Sequence, residues 1–156
     1  MTMKRRTFLQ GAATGAMVSV ALGAGLLSPR LVLAAWPKAA FEAKSVGEAL
    51  KDLLGSDQTT TSDAITVKAP DIAENGAVVP VTISTTLPDV ESISIVAEKN
   101  GTPLTSSFIL GKTTEGYIST RIKMGKTSNV LAVVKADGKL YSAAKEVKVT
   151  IGGCGG

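Results

Sequence analysis

From Ala64 onward the chain is a succession of short runs rich in β-branched residues, each closed by turn residues and none separated from the next by a helix-length segment. That rhythm excludes a parallel α/β sheet, which needs a crossover helix between strands, and it predicts an antiparallel sandwich. The runs are 64–69, 77–86, 90–98, 105–110, 116–123, 128–136 and 139–151. Two-residue alternation is plain in Val79-Pro80-Val81-Thr82-Ile83, in Glu91-Ser92-Ile93-Ser94-Ile95 and in Lys145-Glu146-Val147-Lys148-Val149-Thr150-Ile151, the period of a strand with one face on a core. Asn75-Gly76, Asn100-Gly101 and Asp137-Gly138 punctuate the runs, the last as a two-residue hairpin. Pro80 donates no ladder hydrogen bond, so it belongs at a strand start or on an edge. The expected fold is all-β, an immunoglobulin-like antiparallel β-sandwich; the inter-sheet disulfide common in such domains is impossible with one cysteine.

Upstream, Ser45-Val46-Gly47-Glu48 has the spacing of a capping box, and Val46, Ala49, Leu50, Leu53 and Leu54 then share one face until Gly55 offers a stop. A short N-terminal helix over 45–54 is expected. It is too short to persist alone and must lay its apolar face on the domain or on a partner. Trp36, Phe41 and Phe108 read as packing residues, and Trp36-Pro37 as part of a segment covering the sandwich or its partner.

The first 34 residues have a different character. Lys4-Arg5-Arg6 precedes Phe8-Leu9, a weakly apolar Gly- and Ala-rich run extends from Gly11 to Leu27, and Ser28-Pro29-Arg30 with small residues near Ala34 close it. This is the three-part form of an export signal, with Arg5 and Arg6 pointing to the twin-arginine route, so residues 1–34 are read as a Tat signal peptide cleaved near Ala34. The run is too short and Gly-rich for a membrane anchor, since a spanning helix needs about 20 strongly apolar residues. Lys4, Arg5, Arg6 and Arg30 are four of the 17 basic residues, so 13 basic and 13 acidic residues remain beyond residue 34. The positive charge therefore sits in the targeting segment, and nucleic-acid binding loses its main support. A periplasmic location is expected. The twin-arginine route moves folded cargo, which suggests a second subunit carried along.

The only cysteine is Cys154, within Gly152-Gly153-Cys154-Gly155-Gly156, and the chain has no histidine. A cysteine hydrolase lacks its usual base, and a Cys/His metal site lacks ligands, so no catalytic residue, metal or cofactor is expected. Scattered Asp and Glu show no paired spacing. What remains is a thiol that bonds covalently to something brought to it, or to another chain. Glycines on both sides add no bulk and permit most backbone angles. Five residues after Ile151 could extend about 17 Å at roughly 3.3 Å each. Residues 35–151 are thus read as the folded domain and 152–156 as a flexible arm on its last strand. A solvated thiol ionises near about 8.5, so activation must come from whatever receives the arm. An exported interaction domain in which Cys154 only links two chains by a disulfide is the alternative. Ubiquitin-like sulfur carriers also end in Gly-Gly, but need cytoplasmic activation and no cysteine.

Asp71-Ile72-Ala73-Glu74-Asn75-Gly76-Ala77-Val78-Val79-Pro80-Val81, Arg121-Ile122-Lys123-Met124-Gly125-Lys126-Thr127-Ser128 and the terminal Gly-Gly-Cys-Gly-Gly resemble the SoxY family, the sulfur-carrying subunits of the periplasmic thiosulfate-oxidising system. Asn100-Gly101-Thr102-Pro103 departs from the Asn-Pro pair expected after the lysine. The resemblance implies that Cys154 is the covalent attachment point for sulfur, as S-thiosulfonate or persulfide, and that the chain forms a heterodimer with a SoxZ-like subunit. It also implies visits to the haem cytochrome SoxAX, the dimanganese hydrolase SoxB and, where present, the molybdenum enzyme SoxCD. The basic group Arg121, Lys123 and Lys126, with Met124, reads either as a solvated strand end or as a dock for an acidic or apolar patch.

Overall fold

The computed structural model describes residues 36–150. The elements in order are α1 (Lys38–Glu42), α2 (Val46–Leu54), β1 (Thr60–Thr61), β2 (Ile65–Lys68), β3 (Ile72–Ala73), β4 (Val79–Thr85), β5 (Val90–Ala97), β6 (Leu104–Ile109), β7 (Tyr117–Ile122), β8 (Ser128–Ala136) and β9 (Lys139–Val149). All seven expected strands form. Two sheets result, one ordered β1-β9-β8-β5-β6 with β3 also on β9, the other ordered β2-β4-β7.

Ile65, Val79, Val81, Ile83 and Ile122 from the smaller sheet meet Ile93, Ile95, Val130, Ala132, Val134 and Val147 from the larger one, and all are buried. The period of two in β4, where Val79, Val81 and Ile83 alternate with more exposed residues, reflects one buried face. β5 differs because both of its faces are covered: every residue from Ser92 to Ala97 is buried. The second covering layer is helical, with Ala40, Ala49 and Leu50 packed on Val96, Leu104 and Val133. Ser94 therefore lies fully buried, and its hydroxyl is satisfied by Ser107 Oγ at 3.0 Å.

The helix cap forms as its sequence requires. Ser45 Oγ accepts from Glu48 N at 3.2 Å, and Gly55 closes α2 with φ 82° while its N–H donates to Lys51 O at 2.9 Å. At the β8–β9 hairpin Asp137 and Gly138 both have positive φ, 48° and 68°, as a type I′ turn demands. Pro80 is the second residue of β4 and faces Arg121 of β7, while β2 pairs with β4 only from Thr82 onward. Its missing N–H costs no bond to β2.

The sandwich forms as expected, with two additions and one correction. Two short strands outside the expected runs, β1 and β3, each pair with β9 in parallel. A second helical turn, α1, precedes the expected helix, its Ala40 and Phe41 helping to cover the larger sheet. Trp36 is 68 % exposed, whereas Phe41 and Phe108 pack as anticipated.

Candidate functional site

Cys154, Gly152, Gly153, Gly155 and Gly156, like Arg5 and Arg6, lie outside the described residues. What the structure describes is the ground on which the terminal segment stands. β9 runs antiparallel to β8 with Val147 opposite Ser128, and Val147 is fully buried. Beyond that point β8 offers no further residue, and a different set of partners takes over.

On one side β3 pairs in parallel with the last residues of β9, Ile72 with Lys148 and Ala73 with Val149. Lys148 N donates to Asp71 O at 2.9 Å and Thr150 N to Ala73 O at 3.1 Å. On the other side Thr127 closes onto Val149: Val149 N donates to Thr127 Oγ1 at 2.9 Å, and that hydroxyl lies 3.4 Å from Val149 O. Lys145 ties the same segment down from further back, with Nζ 2.6 Å from Ala69 O and 3.0 Å from the Asp71 carboxylate.

The two flanking segments are bonded to each other as well. Met124 N donates to Gly76 O at 2.7 Å, and a Cβ on Gly76 would collide with Met124 O and stand 2.8 Å from Val149 Cγ1. Glycine is required there by close approach. Asn75 Oδ1 accepts from Ala77 N at 2.9 Å and sets the turn. Asn100 extends the support to the β5–β6 turn, its Nδ2 donating to Lys123 O at 2.7 Å and its Oδ1 accepting from Gly125 N at 2.9 Å.

Residues 71–77 and 121–128, far apart in sequence, thus converge on the end of β9. Sequence reasoning singled out both stretches but assigned neither this task. A two-residue strand such as β3 carries no periodic signal, so only the fold exposes the clamp. Met124 is 2 % exposed and belongs to the core, which removes it from any surface dock with Arg121, Lys123 and Lys126. Those three cations are exposed, and Arg121 and Lys123 share a notch with Lys44.

The described domain holds the end of β9 from both sides. Among the described residues no group of three or more His, Cys, Asp or Glu could hold a metal ion, and no helix is long and apolar enough to cross a membrane. Two carboxylates are held below their ordinary range. For Asp57 the first cause is the hydrogen bond from Lys51, and for Glu91 it is that from Lys135 followed by the Gly138 N–H. Both belong to surface ion pairs, at 3.2 and 2.8 Å respectively.

A family model described as "Sulfur oxidation protein SoxY" matches residues 50–154. No curated protein matches the chain. Among solved structures, the sulfur carrier protein SoxY from Chlorobium limicola f thiosulfatophilum is 47 % identical, with a TM-score of 0.60 over 66 % of this chain and 94 % of that one. A superoxide reductase (neelaredoxin) from Ignicoccus hospitalis is 16 % identical, with a TM-score of 0.53 over 59 % of this chain and 95 % of that one. A variant of that reductase gives 18 % and 0.51, over 69 % and 90 %. At those identities the likeness to the reductase concerns the fold alone.

Proposed function

The chain belongs to the SoxY family of sulfur oxidation proteins, and on that premise we propose that it is a covalent carrier of sulfur intermediates, with Cys154 as the attachment point. The observation that carries this reading is the extent of the family match, which runs through the clamped end of β9 to residue 154, the position of the only cysteine. The solved SoxY that is 47 % identical is itself described as a sulfur carrier protein.

The division of labour follows from chemistry. Joining thiosulfate to the Cys154 thiol forms an S–S bond, releases the thiol proton and yields two electrons, which a haem cytochrome of the SoxAX kind accepts. The product is a cysteine S-thiosulfonate. Hydrolysis then breaks the S–S bond to the terminal sulfonate sulfur: water supplies the fourth oxygen of sulfate, two protons leave, and the persulfide stays on Cys154. This step falls to a dimanganese hydrolase of the SoxB kind, and oxidation of the remaining sulfane sulfur to a molybdenum enzyme of the SoxCD kind where one is present.

None of these steps draws a catalytic group from this chain. It contributes the thiol, a thin Gly-flanked arm and a firm base for it, since a site positioned by a rigid element is presented reproducibly. Covalent attachment keeps a reactive sulfur species from diffusing away between enzymes. A SoxZ-like subunit completes the carrier as a heterodimer, and the twin-arginine segment with Arg5 and Arg6 takes the folded pair to the periplasm.

Replacing Cys154 by Ser tests the reading. The expected result is loss of thiosulfate oxidation with export and subunit assembly intact. Full activity of the Cys154→Ser chain would overturn it and favour an interaction domain whose cysteine only links chains.

A further inference from the structure

Ile72 and Val78 are two of the large apolar side chains left exposed among the described residues, at 57 % and 50 %. Both belong to the stretch that clamps β9. The residue after each, Ala73 and Val79, is buried in the inter-sheet core. Successive side chains of an extended chain point to opposite faces, so Ile72 and Val78 face outward.

Their distance from the end of β9 is set by bonds and close contacts. Ile72 stands opposite Lys148 in the β3–β9 ladder, where neighbouring strands are about 5 Å apart. Val78 N donates to Asn75 O at 3.3 Å. Gly76, two residues before Val78, packs so closely on Val149 that a Cβ there would stand 2.8 Å from Val149 Cγ1. Two residues span at most about 7 Å. Both side chains are therefore part of a collar around the point where β9 ends, and the exposed Glu74, Asn75 and Lys148 give that collar a polar margin.

Cys154 is four residues beyond Thr150, at most about 13 Å in a fully extended chain. An active site that closes over the thiol uses most of that length, so the protein that holds it must seat its own surface against this end of the sandwich. We propose that Ile72 and Val78 are the docking surface for the enzyme that takes Cys154 into its active site, and that the mouth of that site carries an apolar rim which covers them. The proposal rests on the carrier reading above. Two half-exposed side chains offer far less than the roughly 1,200 Å² of a stable interface, which fits an encounter that dissolves after each turnover rather than a permanent subunit contact.

Steady-state kinetics with the carrier as isolated from cells, together with any subunit that accompanies it, tests the surface. The Cys154 thiolate is first loaded with tetrathionate: it attacks a sulfane sulfur, one S–S bond forms, the central S–S bond of the reagent breaks, and thiosulfate leaves. The probe is a dimanganese hydrolase of the SoxB kind from the same cells, and sulfate release is followed against carrier concentration. Ile72→Ser/Val78→Ser is expected to raise KM about tenfold or more and to leave kcat unchanged, because lost apolar burial weakens the encounter and not the chemistry. Ile109→Ser should keep the parent KM: Ile109 is 91 % exposed but pairs through Ser92 with Lys135, at the hairpin end of the larger sheet away from the arm.

Both side chains are exposed, so the double variant keeps its fold, which its melting midpoint verifies; the single Ile72→Lys takes its place if that midpoint falls, with the same expectation. An unchanged KM overturns the proposal. So does a fall in kcat alone, which assigns the two residues to holding the arm, and so does an equal rise in KM for Ile109→Ser. Loss of an accompanying subunit from the variant also overturns it, and assigns the patch to the subunit interface. If the loaded parent releases no sulfate, the carrier reading fails and the proposal with it; release by the parent and the variant with equal KM sinks the docking surface alone.

Discussion

Gly76→Ala will loosen the base of the arm, and its cost follows from two contacts. The added methyl would overlap Met124 O and stand 2.8 Å from Val149 Cγ1. The Met124 carbonyl is not free to retreat, because its own N–H is bonded to Gly76 O at 2.7 Å. Overpacking of this kind costs about 1–3 kcal/mol. If the segments separate instead, the hydrogen bond is lost for about 0.5–1.5 kcal/mol. Whichever route the segments take, the cost is about 1–3 kcal/mol out of the 5–15 kcal/mol typical of a whole domain, or a melting midpoint lower by about 4 °C or more. Gly101→Ala is the control, since a Cβ there meets nothing within 4 Å and should change stability by less than about 0.5 kcal/mol. Denaturant titration supplies the global number. Hydrogen exchange at Met124, Val149 and Thr150 reports the local effect, which should exceed that at Val133 in the centre of the larger sheet. If Gly76→Ala matches Gly101→Ala in stability and exchange, the clamp does not constrain the end of β9 as described.

Asn100→Ala removes both hydrogen bonds between the β5–β6 turn and the β7–β8 connection; a loss of about 1–2 kcal/mol in denaturant titration is expected. Gly138→Ala places a side chain at φ 68°, and calorimetry should register about 1–2 kcal/mol of destabilisation, since the left-handed region disfavours a Cβ. The Lys135 ammonium and then the Gly138 N–H hold the Glu91 carboxyl below its ordinary range. Its contribution to stability is therefore fully present above the ordinary carboxylate pKa, about 4.3, and is lost as pH falls through the lower folded value. Unfolding midpoints of the Glu91→Gln chain should accordingly decline less steeply with acid than those of the parent.

Where a pattern was long enough to repeat, it was legible before the structure. Val79, Val81 and Ile83 alternate over a full strand, Asp137-Gly138 tolerates the two positive φ angles of its hairpin, and Ser45 caps α2 with its own hydroxyl. Thr60–Thr61 and Ile72–Ala73 are too short to show any period, and their parallel pairing with β9 depends on segments distant in sequence. α1 spans only five residues, fewer than two turns, so no amphipathic repeat announced it. Met124 sat among cations in a stretch that read as surface, yet it lies two residues after Ile122 and is buried with it in the core. For the site, elimination left Cys154 as a thiol that bonds to something brought to it or to another chain, because the chain has no histidine and no second cysteine, and that expectation falls outside the described residues. The task of residues 71–77 and 121–128 was not legible, since it exists only once both meet the end of β9.

The central claim is that sulfur travels on Cys154. Its most direct test is the intact mass of the chain isolated from cells oxidising thiosulfate, recorded without and with reductant beside a thiol-blocked control, followed by peptide mapping. The account predicts reductant-labile additions of thiosulfonate and sulfane sulfur on the peptide that contains Cys154. A thiol that is unmodified, or paired only with another chain, under conditions that preserve such adducts would contradict it.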